Sequence, residues 1–385
     1  MAAMWHLLAL LPLLSLVALS PVWALRTSAS VAFHSLHLVS ARDAWGYSQG
    51  GVYRTHDGGR HWQNRTPALT SGGLLEGGAL DARHAWFTVS RAGEGPRLYR
   101  TRDGGVHWTW TRLFRQGSAR VAFRDSQYGT AVVQLDRDRT HSAFVVLTSR
   151  DAGAHWGQVN SARPGHFRQA LLQGGDLPDV SGLNDLRIQP GGFGLACGLS
   201  GPDQRPYVWQ TRDGGRTFRD VAGQLPYAPA ERRQFSSTRL AWSAGPLAVL
   251  LSDVQAGAPN ERHVARLFRT EDAGRHWHTP APLALPVHSG AALPAFADAR
   301  HGWVWVRAVP DDQGQPGVSQ LWRTGNGGEN WRLLTPPFAA TAAELTALSF
   351  ADPQHGLAAL RLGAGVSQLW RTDDAGEHWT QLDAS

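Results

Sequence analysis

The sequence predicts an all-β chain folded as a seven-bladed β-propeller. An eight-residue unit of pattern Ser/Thr-x-Asp-x-Gly-x-x-aromatic occurs seven times, with Asn326 in the Asp position of the sixth copy. Successive copies are 46 to 62 residues apart, and a period of this length is typical of propellers and solenoids. A second recurring phrase, such as Asp298–Trp303, precedes most copies and lies between two apolar runs. Each unit therefore has room for four strands.

We call the eight-residue unit the repeat hairpin. The residues before it alternate bulky apolar and polar side chains, which predicts a strand. The Asp carboxylate accepts hydrogen bonds from backbone amides that follow it, and Gly tolerates positive φ, so the unit is predicted to be a turn whose closing aromatic covers it. The copies are Thr55–Trp62, Thr101–Trp108, Ser149–Trp156, Thr211–Phe218, Thr270–Trp277, Thr324–Trp331 and Thr372–Trp379.

Each blade is expected to run from an inner strand through the second phrase to a second and a third strand, and through the repeat hairpin to a fourth. The fourth and fifth blades lack the phrase but keep a Gly-rich turn in its place. No half-blade that would close the ring by strand exchange is evident, although residues 26–30 are candidates for pairing with the last blade. The expected blade spans are about 30–66, 73–114, 118–159, 182–222, 234–280, 290–335 and 342–383.

Residues 1–24 have the pattern of a secretory signal, with an apolar run from Leu7 to Ala18 and small residues before a cleavage point after Ala24. No Lys or Arg precedes the run, so an uncleaved signal anchor is the alternative. Residues 25–385 would then form one propeller domain outside the cytoplasm: periplasmic, in the cell envelope or secreted. No other stretch approaches the roughly 20 apolar residues that span a bilayer.

The composition limits the function classes. Cys197 is the single cysteine, so no intramolecular disulfide can form. An exported chain without disulfides must be held together by packing alone. We expect the chain to be a monomer. The formal charge is +6, and all 37 basic residues are Arg. Because the chain has no basic run and no nucleic-acid-binding motif, nucleic acid is excluded as the expected partner.

Long connections are predicted on the face opposite the repeat hairpins, at residues 160–183, 221–234, 252–265 and 309–319. Long loops on a rigid scaffold often carry binding, and guanidinium groups pair bidentately with carboxylates and phosphates. A protein or an anionic envelope component is therefore the expected partner, with a merely solvated basic surface as the alternative. The candidate binding residues in these connections are Arg163, His166, Arg168, Arg232, Arg233 and Arg262.

Two further repeated sets are interpreted as structural. An Arg precedes the Ser/Thr of the hairpin in five blades, at positions 54, 100, 269, 323 and 371, and its stem is expected to pack between blades. A His precedes the hairpin aromatic in five blades, at positions 61, 107, 155, 276 and 378. Since these histidines lie in different blades and cannot converge on one ion, we predict no metal site, and no cofactor is expected.

The repeat hairpin resembles the Asp-box, or BNR repeat, of sialidases, sortilin-type receptors and photosystem II assembly-factor propellers. The phrase Tyr-Arg-Thr-x-Asp-Gly-Gly-x-His-Trp, the seven repeats and the signal are most similar to the photosystem II stability/assembly-factor-like family. That resemblance implies a non-enzymatic, extracytoplasmic, protein-binding scaffold.

The alternative is a glycoside hydrolase of sialidase-like or xyloglucanase-like type. Sialidases carry an aromatic-Arg-Ile-Pro motif before the first box, whereas the nearest match here, Leu186–Pro190, follows the third and contains an inserted Gln. A xyloglucanase would need two facing carboxylates. We therefore favour a non-enzyme, and the unranked carboxylate candidates for the alternative are Asp136, Asp138, Asp176, Asp179 and Asp253.

Overall fold

The described strands form seven four-stranded antiparallel sheets, each made of four consecutive strands that pair in chain order. We call these sheets blades 1 to 7, and together they make an all-β propeller. The computed structural model describes residues 31–68, 74–91, 94–135, 144–162, 182–200, 205–225, 235–242, 248–254, 264–279, 283–285, 289–308, 313–314, 317–340, 343–362 and 367–383.

The strands of the first four blades have the following bounds. Blade 1 contains β1 (Phe33–Leu38), β2 (Ala44–Ser48), β3 (Gly51–Thr55) and β4 (Gln63–Asn64). Blade 2 contains β5 (Leu74–Ala79), β6 (Ala85–Arg91), β7 (Gly95–Thr101) and β8 (Thr109–Arg112). Blade 3 contains β9 (Ser118–Phe123), β10 (Gly129–Gln134), β11 (Phe144–Ser149) and β12 (Gly157–Ala162). Blade 4 contains β13 (Gly182–Ile188), β14 (Gly194–Ser200), β15 (Arg205–Thr211) and β16 (Arg219–Asp220).

The last three blades follow the same order. Blade 5 contains β17 (Phe235–Trp242), β18 (Ala248–Val254), β19 (Val264–Thr270) and β20 (Leu283–Ala284). Blade 6 contains β21 (Ser289–Phe296), β22 (Gly302–Ala308), β23 (Gln320–Thr324) and β24 (Arg332–Leu334). Blade 7 contains β25 (Glu344–Phe350), β26 (Gly356–Arg361), β27 (Ser367–Thr372) and β28 (Thr380–Leu382). Short 3-10 helices at Ala222–Gln224 and Pro337–Ala340 follow the fourth strands of blades 4 and 6.

The fourth strand of blade 5 begins later than the sequence indicates. We expected this blade to end near residue 280, but only an isolated bridge between Arg269 and His278 forms there. The ladder resumes where Val264 and Ala265 pair with β20. Pro280 and Pro282 stand between these points in the sequence, and proline has no N–H to donate to a ladder.

The hydrophobic cores lie between neighbouring blades. Trp303 of blade 6, which is fully buried, stacks on Phe350 of blade 7 with ring centroids 3.4 Å apart. Blade 7 packs on blade 1 in the same way, in a cluster that contains Phe33, Leu36 and Leu369. The ring is closed there by side chains, since β1 to β4 and β25 to β28 belong to separate sheets.

Within the described ranges no helix is both long and apolar enough to cross a bilayer. Residues 1–24 and residues 26–30 lie outside these ranges, so the signal, and the pairing of residues 26–30 with the last blade, stay predictions.

Candidate functional site

The repeat hairpins satisfy their polar groups internally. In blade 2 the Thr101 hydroxyl donates to Asp103 Oδ1 and accepts from the Gly105 amide, both at 2.8 Å. The other lone pairs of the Asp103 carboxylate accept from the His107 amide at 3.0 Å and from its ring Nδ1 at 2.7 Å. The predicted structural role of Thr and Asp is therefore confirmed.

The hairpin histidines stay within their own hairpins. His61, His155, His276 and His378 each place Nδ1 2.5 to 2.6 Å from the carboxylate of the same turn, as His107 does in blade 2. Across the described part of the chain no cluster of three or more His, Cys, Asp or Glu side chains has the arrangement of a metal site.

The hairpin arginines bridge neighbouring blades, as predicted. Arg54 Nη1 of blade 1 donates to the Gly104 carbonyl of the blade 2 hairpin at 3.3 Å, and Arg269 Nη1 donates to the Gly327 carbonyl at 3.2 Å. Arg371 closes the ring by donating to the Gly58 carbonyl at 3.0 Å. An arginine whose guanidinium group bonds to the hairpin of the next blade thus recurs around the ring and has a structural role.

The hairpin tryptophans differ in what they cover. Trp156 and Trp379 donate Nε1–H to a carbonyl of their own hairpin, at 2.9 and 3.0 Å. Trp108 instead donates to the Arg65 carbonyl of blade 1 at 2.7 Å and packs edge-on against Trp45. The prediction that each ring covers its own hairpin is therefore wrong for Trp108, which joins two blades.

A pocket of about 330 Å³ lies on the propeller axis, because residues of all seven inner strands line it. The inner strands are β1, β5, β9, β13, β17, β21 and β25. The lining residues are the last few of each inner strand, next to the turn to the second strand. We call this cavity the axial pocket. It opens on the face that carries the repeat hairpins, since first-to-second and third-to-fourth turns share one face of an antiparallel blade.

An ionic network occupies the inner strands of blades 1 to 4 beside the axial pocket. Arg120 Nη1 lies 2.9 Å from Glu76 Oε2, and its Nε donates to the Leu183 carbonyl at 2.9 Å. Arg187 Nε lies 3.5 Å from Asp185 Oδ1, which also accepts from the Leu186 amide. We call these four charged residues, together with His37, the axial cluster. His37 and Arg187 connect the cluster to the pocket wall.

Burial perturbs the titration of this cluster. Burial lowers the pKa of His37 to about 4, with help from the nearby Arg187 charge. Burial also raises the pKa of Glu76, while the Arg120 charge opposes that shift. Burial alone would lower the pKa of the Arg120 guanidinium, but the negative charges of Glu76 and Asp185 have the larger effect and raise it. The His37 ring is therefore neutral, and the carboxylates of Glu76 and Asp185 are each paired with an arginine.

The other half of the axial pocket is apolar. Blades 5 to 7 contribute Leu240, Ala241, Pro294, Ala295 and Leu348 to its wall. A bound segment would meet the Arg187 guanidinium and the neutral His37 ring on one side of the axis and aliphatic side chains on the other. Such an arrangement suits an amphipathic peptide better than a uniformly polar ligand.

The axial cluster was not among the residues predicted from the sequence. Glu76, Arg120 and Asp185 each stand three residues before the end of an inner strand, and this common register was a signal available in the sequence. The six candidates Arg163, His166, Arg168, Arg232, Arg233 and Arg262 lie outside the described residues, as do Asp136, Asp138, Asp176 and Asp179. Asp253 lies in β18, and its side chain is also outside the description. Arg187, from the imperfect sialidase-like stretch, lies at the axis and is paired with Asp185.

The fold has solved relatives with different functions. The chain matches a GH74 xyloglucanase from Xanthomonas campestris with a TM-score of 0.61 and 16% identity, over 91% of this chain and 54% of that one. It matches YCF48 bound to a D1 peptide with a TM-score of 0.58 and 16% identity, over 90% and 94% of the two chains. YCF48 from Cyanidioschyzon merolae gives a TM-score of 0.57 and 16% identity, over 90% and 96%.

These likenesses show the propeller fold alone, and the chain spans about half the length of the xyloglucanase. No protein-family model matches the sequence, and no curated protein matches it. The Asp-box assignment therefore stays a resemblance.

Proposed function

We propose that this chain is an exported, non-catalytic scaffold that binds a protein segment. The observation that carries the proposal is the pairing of both carboxylates of the axial cluster with arginines. Glu76 is held by Arg120 at 2.9 Å and Asp185 by Arg187 at 3.5 Å. A catalytic pair of a glycosidase needs one carboxyl free to give up a proton and one free to attack or activate water.

The fold likeness supports a peptide as the partner. YCF48, which has the same fold, is bound to a D1 peptide in its solved structure. The axial pocket offers the Arg187 guanidinium and the His37 ring on one side and aliphatic surface on the other, which suits a peptide with mixed side chains. A second and separate docking surface is proposed on the opposite, long-loop face, at Arg163, Arg168, Arg232, Arg233 and Arg262, with His166 beside them. This docking face is a proposal from the sequence.

The test is a binding measurement with charge-reversed variants. The partner is captured from envelope extracts by the purified chain, identified, and titrated against Arg232→Glu/Arg233→Glu. The matched control is Arg60→Glu/Arg102→Glu, which reverses two arginines at repeat hairpins. Affinity should fall only for the first pair, and association should be faster at low salt if the partner is acidic. Equal loss in both pairs would refute the loop face as the docking surface.

A glycoside hydrolase is the second candidate, favoured by one observation. Burial and the neighbouring Asp185 charge raise the pKa of Glu76, as expected for a general acid. Purified protein should nevertheless leave sialosides and β-glucans unchanged. Turnover that disappears in Glu76→Gln, while the variant keeps its fold, would overturn the non-catalytic proposal.

A further inference from the structure

A cleft of about 430 Å³ separates blades 3 and 4 on the hairpin face. We call it the blade 3–4 cleft. The equivalent junction between blades 2 and 3 encloses only about 30 Å³, between Trp86, Arg100, Arg102 and their neighbours. The two junctions are built from the same positions of the repeat, so the difference in volume has a local cause. The residues of the larger cleft used below are Arg124, Tyr128, Thr130, Thr148, Arg150 and Arg216.

Two small residues that face each other across strands open the cleft. Thr130 of β10 pairs with Thr148 of β11. The same pair of positions is Trp45 with Arg54 in blade 1, and Trp86 with Arg100 in blade 2. Blades 4, 5, 6 and 7 keep an Arg or a Gln at the second position. Blade 3 therefore lacks both the Arg or Gln of the other six blades and the large apolar residue, a Trp in blades 1, 2 and 6 and a Leu or Val in blades 4, 5 and 7, that pairs with it.

The distance between the hairpin glycine of the next blade and the nearest arginine nitrogen shows how much space the missing side chain leaves. A Cβ built on Gly104 would lie 1.8 Å from Arg54 Nη1, and one built on Gly327 would lie 1.6 Å from Arg269 Nη1. A Cβ built on Gly214, at the blade 3–4 junction, would lie 3.1 Å from the nearest arginine nitrogen, which belongs to Arg124. The Gly214 carbonyl is instead bonded by the short Thr130 hydroxyl at 2.6 Å.

The lining of the cleft is strongly basic. Arg124, Arg150 and Arg216 contribute three guanidinium groups against the single carboxylate of Asp213. The Asp213 oxygens already accept four hydrogen bonds from its own hairpin, two from the amides of Arg216 and Thr217 and two from hydroxyl groups.

Arg124 is held in place at the rim. Its guanidinium carbon lies 3.9 Å from the centre of the Tyr128 ring, and its Nε lies 3.3 Å from Asp125. Asp125 in turn accepts from the Gln127 and Tyr128 amides, both at 2.8 Å. A guanidinium that is already positioned loses less conformational entropy when it binds an anion.

We propose that the blade 3–4 cleft binds a small anionic ligand whose carboxylate or phosphate oxygens pair with Arg124 and Arg150. Guanidinium groups bind such planar or tetrahedral oxygen groups bidentately. The cavity volume lies in the range of about 300 to 1,000 Å³ that small-molecule sites occupy. The Thr148 hydroxyl, which also lines the cleft, supplies a further donor. The cleft shares no lining residue with the axial pocket and does not use the proposed docking loops, so it does not depend on the proposed function.

Calorimetric titration of the full chain at low ionic strength tests the proposal. Inorganic phosphate and citrate are the two probes, and they distinguish phosphate from polycarboxylate recognition. At least one should bind saturably, and Arg150→Gln should weaken that binding fivefold or more. Arg102→Gln is the matched control, because Arg102 holds the same hairpin position at the filled junction, and it should bind like the wild type.

The decisive variant is Thr130→Trp/Thr148→Arg, which restores the residues of blades 1 and 2 and should abolish binding without unfolding the chain. If that variant fails to fold, the single variant Thr148→Arg replaces it and should also weaken binding. The comparison of Arg150→Gln with Arg102→Gln then tests the site independently. Unchanged affinity in the refilled variant, equal effects of the two Gln variants, or no binding of either anion would overturn the site.

Discussion

Single side chains explain why the repeat tolerates so little variation at its first and third positions. The Ser149 hydroxyl both donates to Asp151 Oδ1 at 2.9 Å and accepts from the Gly153 amide at 2.7 Å, and only Ser or Thr provides both functions at this length. At the third position of the sixth hairpin, the Asn326 side-chain oxygen accepts from the Thr324 hydroxyl and from the Asn330 amide, both at 3.0 Å, as the Asp oxygen does in the other hairpins. An amide oxygen therefore replaces the carboxylate geometrically but not in charge.

Asp151→Asn should make the third hairpin less sensitive to acid. Hydrogen bonds from the His155 amide and ring, and from Ser149, hold the pKa of Asp151 well below its usual range. The carboxylate therefore stabilises the fold above the unfolded pKa of about 3.9, and this contribution is lost as the pH falls below it. The variant should unfold in less urea than the wild type at pH 7, and the difference should shrink at pH 3. A difference that stays constant with pH would contradict this.

His37→Gln should remove a different pH dependence. The folded pKa of His37 is lowered to about 4 by burial, so the unfolded chain binds an extra proton between pH 4 and about 6.5. Wild-type stability should fall with decreasing pH through that window, and the variant should show a flatter profile. Urea midpoints at pH 7, 6, 5 and 4.5 measure it, and parallel profiles would show that His37 is not buried as a neutral ring.

At the scale of the element, the strands follow from alternation and turn chemistry that are local in the sequence. Thr101 to Trp108 contains the whole set of groups that closes its hairpin, so its structure was predictable without knowledge of the ring. The late β20 was not, because the local pattern does not show that the ladder resumes at Val264 and Ala265 after the isolated Arg269–His278 bridge. The bridging arginines between blades were predicted from their repetition, but the contact of Trp108 with blade 1 was not.

Trp379→Ala should lower the free energy of unfolding by about 3–5 kcal/mol, the cost of truncating a buried Trp. The ring is 7% exposed, donates to Gly376 and packs edge-on against Phe338 and Phe350. Leu333→Ala, at a side chain 42% exposed, is the control and should change stability by about 0.5 kcal/mol or less. Chemical denaturation compares the two, and equal losses would mean that the hairpin rings do not support the core.

For the whole molecule, the axis is where prediction from sequence fails. Glu76, Arg120, Asp185 and Arg187 come from three blades, and only the closed ring brings them together. A pattern within one strand shows which side chains share a face, but it does not show which strands meet at the axis. The loop-face arginines, in contrast, were proposed from loop length and charge alone, and their position awaits the binding test.

Arg371→Met should loosen the junction that closes the ring. Arg371 donates to the Ala41 and Gly58 carbonyls at 3.1 and 3.0 Å, and the variant leaves both without this donor. Amide hydrogen exchange should rise roughly fivefold to 30-fold in β1 and β27, corresponding to about 1–2 kcal/mol of local opening. The matched control, Arg54→Met, should raise exchange at the junction of blades 1 and 2 instead. Faster exchange in every blade for both variants would mean that the ring opens only as a unit.

The joint between blades 7 and 1 uses the same arginine-to-carbonyl contact as the joint between blades 1 and 2. In the described chain each sheet is also made of consecutive strands, so no blade depends on a segment borrowed from the other end. Among the described strands, the junction of blades 7 and 1 is therefore built like the junction of blades 1 and 2. A circularly permuted chain that starts at blade 2 and ends at blade 1 would divide no sheet, and it would meet the same kind of joint at its new ends.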